Sequence, residues 1–141
     1  MAEGELRDVA ARLHSSAIRL LRAMRREDDG SGLSAPRLSA LSVIVFGGPM
    51  SLAELAAAEQ VRPPTMSRIV EALVGLGLVT RVAKPGDRRS VEIAATADGV
   101  QLLEAGRERR VRALVGRLGK LADSERRALA RGVEIMERVV R

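Results

Sequence analysis

Residues 61–81 read Val-Arg-Pro-Pro-Thr-Met-Ser-Arg-Ile-Val-Glu-Ala-Leu-Val-Gly-Leu-Gly-Leu-Val-Thr-Arg, and the division of this stretch decides the fold. Pro63 and Pro64 lack a backbone donor, but their fixed φ suits the first turn of a helix. The spacing predicts a helix from there to about Val74, with Ile69, Val70 and Leu73 turned inward, before Gly75 and Gly77 break it. Just upstream, Ser51 followed by Glu54 is a capping-box pattern that opens a short helix, Leu52 to Glu59. Two short helices joined by a tight turn follow from this reading.

Downstream the period changes. Leu78-Val79-Thr80-Arg81-Val82-Ala83 is rich in β-branched residues, and Ser90-Val91-Glu92-Ile93-Ala94 puts Val91 and Ile93 on one face and Glu92 on the other. The pattern predicts a β-hairpin whose exposed tip is Lys84-Pro85-Gly86-Asp87-Arg88-Arg89.

Helices flank this centre. Leu6, Val9, Leu13, Ala17, Leu20 and Met24 recur at three- and four-residue steps, marking a first helix from about residue 4 to 27, which Asp28-Asp29-Gly30-Ser31-Gly32 ends. Ser34 can cap a second helix with Pro36 in its first turn; Leu38, Leu41, Val45 and Phe46 are its expected buried stripe, and Gly47-Gly48-Pro49 stops it. Thr96 can cap a long fifth helix, Ala97 to about Leu121. Asp123 or Ser124 can cap a sixth, with Leu129, Val133, Met136 and Val140 on one side. The expected fold class is mainly α with a small β-hairpin (α+β).

Composition narrows the function. A length of 141 residues fits one domain, and the absence of cysteine excludes disulfides, thiolate zinc sites and thiol redox sensing. The N-terminal stretch is acidic rather than basic, and the apolar run Val43 to Phe46 falls far short of the roughly 20 residues of a bilayer span, so a soluble cytoplasmic protein with no membrane partner is expected. Lys and Arg number 24 against 18 Asp and Glu, a net +6. Between Arg62 and Arg89 lie six basic residues and two acidic ones, a local excess of the kind that suits a polyanion. With one Phe and no Trp or Tyr, stacking platforms for single strands have nothing to be built from, whereas duplex readout needs no aromatics.

An enzyme is the least supported class. His14 is the one histidine, and no Ser-His-Asp set, metal-ligand cluster or Gly-rich phosphate loop can be assembled, so no cofactor or metal is expected. A non-specific architectural DNA-binding protein is the alternative to a sequence-reading one.

Thr-x-Ser-Arg at 65–68, Gly-Leu-Val-x-Arg at 77–81 and Asp-Arg-Arg at 87–89, in this order and spacing, resemble the MarR family of bacterial transcription regulators. Ala95 stands where that family usually has Leu, and Val74-Gly75-Leu76 replaces a commonly charged stretch. The resemblance implies a winged helix-turn-helix over residues 34–96 and a helical dimerisation region over 1–30 and 97–141, interlocked as one domain. It implies a homodimeric regulator, a repressor released by a small-molecule effector, that binds an inverted-repeat (palindromic) operator in double-stranded DNA. The heptad-like Val111, Leu114, Leu118 and Leu121 agree with helix-helix packing between two copies.

The fourth helix would then lie in the major groove, with Arg62, Pro64, Thr65, Ser67 and Arg68 in its first turns; Arg68 can pair bidentately with guanine. At the wing, Arg89 would enter the minor groove with Asp87 holding its guanidinium, and Arg88 would contact phosphate. The resemblance also implies an effector pocket for anionic aromatic compounds between the dimerisation helices and the winged unit, which Arg12, His14, Arg19 and Phe46 could approach.

Overall fold

The computed structural model describes residues 1–141. In chain order the elements are α1 (Glu3–Asp28), a 3₁₀ turn (Asp29–Ser31), α2 (Ala35–Gly47), α3 (Leu52–Glu59), α4 (Pro63–Gly75), β1 (Val79–Lys84), β2 (Asp87–Ala95), α5 (Ala97–Leu118) and α6 (Asp123–Val139). The fold is mainly helical with one antiparallel hairpin, as the sequence periods require. The chain divides into two compact units: residues 28–107, and residues 1–27 together with 108–141.

Residues 28–107 hold the hydrophobic core. Ala40, Leu41 and Ile44 of α2, Leu55 and Ala56 of α3, Met66, Val70 and Leu73 of α4, and Leu78, Val79 and Ile93 of the hairpin are all buried. The α3 start is held as its sequence predicts: the Glu54 amide donates to Ser51 Oγ at 3.1 Å, and Glu54 Oε2 accepts the Ser51 amide at 3.0 Å. Between α3 and α4 the chain turns through Gln60, whose φ of 56° lies in the left-handed region that usually selects glycine. The Val61 amide then reaches back to the Ala56 carbonyl. The hairpin gains a third edge at Met50, which exchanges both backbone hydrogen bonds with Ile93.

Two local expectations change. Phe46 is 81% exposed instead of belonging to the α2 stripe. It lies five residues beyond Leu41, about 140° around the helix, so the inward face is taken by Ala40, Leu41 and Ile44, with Leu38 and Val45 half-buried. The α6 N-cap is Ala122, not Asp123 or Ser124: the Ala122 amide donates to Glu125 Oε2 at 2.8 Å, while Asp123 pairs with Arg126 at 2.9 Å.

The second unit is built differently. Among residues 1–27 and 108–141, Met24 is the one buried hydrophobic side chain. Leu6, Val9, Leu13 and Leu20 of α1, Val111 and Val115 of α5, and Leu129, Val133, Met136 and Val140 towards the C-terminus are exposed. Helical spacing of apolar side chains normally earns a buried stripe, and here the stripes are uncovered. α5 ends at Leu118, so Leu121 falls in the connecting turn.

Candidate nucleic-acid interface

The inward residues of α4 fix its outward ones. With Met66, Val70 and Leu73 buried and Ile69 packed against the same core, the helical period leaves Arg62, Pro64, Thr65 and Arg68 exposed and Ser67 half-buried. Pro63 and Pro64 form the first turn behind Arg62, the N-cap. The five predicted helix residues are thus gathered at one end of one helix, offering two guanidinium forks and two hydroxyls.

The wing is a hairpin with a defect. Ala83 pairs with Val91 and the very next residue, Lys84, pairs with Asp87, so Arg88, Arg89 and Ser90 are extra residues on β2. Pro85 and Gly86 make the turn, with Gly86 at φ 82° as the third position of a type II turn requires. A bulge of this kind removes amides from the ladder, and they need other acceptors. Asp87 supplies them: its Oδ1 accepts the Arg89 amide at 2.9 Å and its Oδ2 accepts the Ser90 hydroxyl at 2.8 Å. The Ser90 hydroxyl first, and the Arg89 amide second, hold the Asp87 carboxyl below its ordinary range.

This corrects the expected ion pair. The Asp87 carboxylate holds the backbone of Arg89 and the side chain of Ser90, where sequence reasoning had it grip the Arg89 guanidinium. Arg88 and Arg89 are both exposed on the bulge. Ser90, absent from the predicted set, joins the site. Its only signal in the sequence was a hydroxyl three residues after an aspartate beside a turn, which is also the pattern of an ordinary local cap.

Charge is distributed unevenly. Residues 62–89 carry six basic and two acidic side chains, while the remainder of the 28–107 unit carries two basic and seven acidic. That unit is therefore polarised and close to neutral, and the net positive surplus of the chain sits on the helical unit, with 16 Lys and Arg against nine Asp and Glu.

Arg12 and Arg19 line a shallow groove on α1 with Ala11, Ser15 and Ser16, and Arg12 pairs with Asp8 at 3.7 Å. His14 is exposed on α1 and is not among the lining residues; Phe46 belongs to the other unit.

A family model described as MarR family matches residues 33–91. A curated relative, the uncharacterized HTH-type transcriptional regulator Mb0904 of Mycobacterium bovis, is 35% identical over 128 residues, covering 91% of this chain and 90% of the relative. The chain belongs to the MarR family. It is a DNA-binding transcription regulator and not an enzyme. Among solved structures, RV1404 from Mycobacterium tuberculosis is similar at 27% identity with a TM-score of 0.77, covering 94% of this chain and 92% of that one. A Staphylococcus aureus MepR variant bound to an oligodeoxyribonucleotide shares the fold, with a TM-score of 0.71 at 15% identity over 94% of this chain and 98% of that one. The match 33–91 spans α2 to the first paired residue of β2 beyond the bulge, so in this MarR-family chain it contains every residue of the interface described above. No helix is long and apolar enough to cross a membrane.

Proposed function

We propose that this MarR-family regulator reads an inverted-repeat operator in duplex DNA as a homodimer. The observation that carries the reading is the pairing of an exposed polar helix start, Arg62 to Arg68, with an arginine-bearing bulge at the wing of the same compact unit. Arg68 contacts a guanine edge in the major groove, with Thr65 and Ser67 on phosphate or a close base. Arg89 enters the narrow minor groove and Arg88 contacts phosphate. The MepR variant solved with an oligodeoxyribonucleotide has the same fold, which supports a DNA partner here.

Dimerisation follows from the helical unit. A body of 61 residues that buries one hydrophobic side chain cannot offset its own ordering entropy, and a second copy is the simplest cover for the apolar faces of α1 and α6. Two identical recognition helices then enter successive major grooves, with half-site centres roughly 10 base pairs apart. The regulator acts as a repressor, released by an anionic aromatic effector at a site that draws on Arg12, His14, Arg19 or Phe46. Footprinting on genomic fragments recovered with the protein tests this reading: a protected inverted repeat is expected. Even coverage of all duplexes would favour an architectural protein instead.

A further inference from the structure

We propose that Ser90 is a positioning residue for DNA recognition: its hydroxyl, held by Asp87, closes the wing bulge that presents Arg88 and Arg89. The proposal rests on the reading of the wing given above.

The bulge inserts three residues between the Lys84–Asp87 and Ala83–Val91 pairs, so nothing in the ladder fixes its shape. Its closure is local and polar. Asp87 reaches forward from the start of the bulge and is met at its far end by Ser90, 2.8 Å from Oδ2, while Oδ1 holds the amide of the intervening Arg89. The two bonds define a ring in which Arg88 and Arg89 are the only residues between the clasp's ends, and both are exposed.

Committing both carboxylate oxygens in this way has an electrostatic consequence. A carboxylate turned onto the Arg89 guanidinium would cancel the cation meant for the negative minor groove and draw it back against its own strand. With the Ser90 hydroxyl gone, Oδ2 loses that donor while the backbone amides of residues 89 and 90 stay, and the carboxylate is freer to accept from either guanidinium group. Ser90 thus orders the loop and keeps Asp87 off the two guanidinium groups. Thr preserves the hydroxyl and suits the extended backbone; Ala preserves the backbone alone.

The test uses full-length protein and duplexes carrying the footprinted site with either A·T-rich or G·C-rich flanks. Ser90→Ala should weaken binding to the A·T-flanked duplex about fivefold and reduce the preference between the two flanks, with thermal unfolding unchanged. Ser90→Thr should stay within about twofold of the native protein, and Arg89→Ala should lose the flank preference outright. If Ser90→Ala binds like the native protein while Arg89→Ala is defective, the role of Ser90 is refuted and the wing reading stands. Equal defects in Ser90→Ala and Ser90→Thr would also refute it, since the hydroxyl would not be the cause. If Arg89→Ala is itself harmless, the wing reading fails and this proposal falls with it.

Discussion

The Thr96 hydroxyl donates to the Gly77 carbonyl oxygen at 2.6 Å and, through the same oxygen, accepts the Gly99 amide at 3.1 Å. One side chain therefore caps α5 and ties it to the glycine turn where α4 gives way to β1. The Thr96 amide adds a backbone bond to the Leu78 carbonyl, so the end of α4, the hairpin and the start of α5 are fastened at a single seam.

Thr96→Val removes the cap and the tie together while keeping the shape of the side chain. The expected loss is about 1–2 kcal/mol of unfolding free energy in a urea titration, with Thr96→Ser losing less than half of it. Equal losses in the two variants would show that the hydroxyl is not what matters there.

Gly99 is fixed by close approach. A methyl group at this position would overlap the Leu78 carbonyl oxygen and come within 3.2 Å of Leu41 Cδ1. Gly99→Ala should cost about 2–3 kcal/mol because backbone must move. Gly116, on the same helix with nothing within 4 Å, is the control: Gly116→Ala should stabilise by about 0.5–1 kcal/mol. Comparing the two melts decides the matter, and a harmless Gly99→Ala would contradict the packing described.

Much of this architecture is legible in the residues because local chemistry and fold agree. Ser51 and Glu54, Thr96, and Gly77 after α4 act where their chemistry says they should. What escapes is non-local or degenerate. Gln60 takes a left-handed turn that the sequence would assign to glycine or asparagine, because the α3–α4 crossing and the Val61–Ala56 bond impose it. Phe46 reads as core by hydrophobicity and is turned out by helical phase. The bulge at 88–90 leaves no mark in alternation, so the partner of Asp87 could not be chosen between a guanidinium and a hydroxyl. Read along the chain, the charge surplus falls on residues 62–89, and acidic residues elsewhere in the same unit cancel it.

Asp87 should titrate below an ordinary carboxyl, whose value is 3.8. Its folded value is depressed, so its contribution to wing order is present above the unfolded value and is lost as pH falls through the folded one. Carboxyl resonances followed by NMR should show a midpoint under 3.8 in the native protein, moved upward in Ser90→Ala. An unchanged midpoint would mean that the Ser90 bond is not formed in solution.

The exposed stripes of the helical unit predict self-association. Sedimentation should give a dimer at micromolar concentration, and Leu13→Glu with Val133→Glu should shift it towards monomer while leaving the 28–107 core folded. A native protein that sediments as a well-folded 15.1 kDa monomer at all concentrations would overturn the assembly.

Whether α4 reads sequence from the major groove is decided by the affinity of Arg68→Ala for the footprinted operator and for random duplex, measured side by side at several salt concentrations. Arg68→Ala should lose about 1–3 kcal/mol on the operator and less on random duplex, with relaxed discrimination at one position in each half-site. Losses equal on both duplexes, accompanied by a salt slope lowered by about 1 per subunit, would make Arg68 a phosphate contact and contradict sequence reading by this residue.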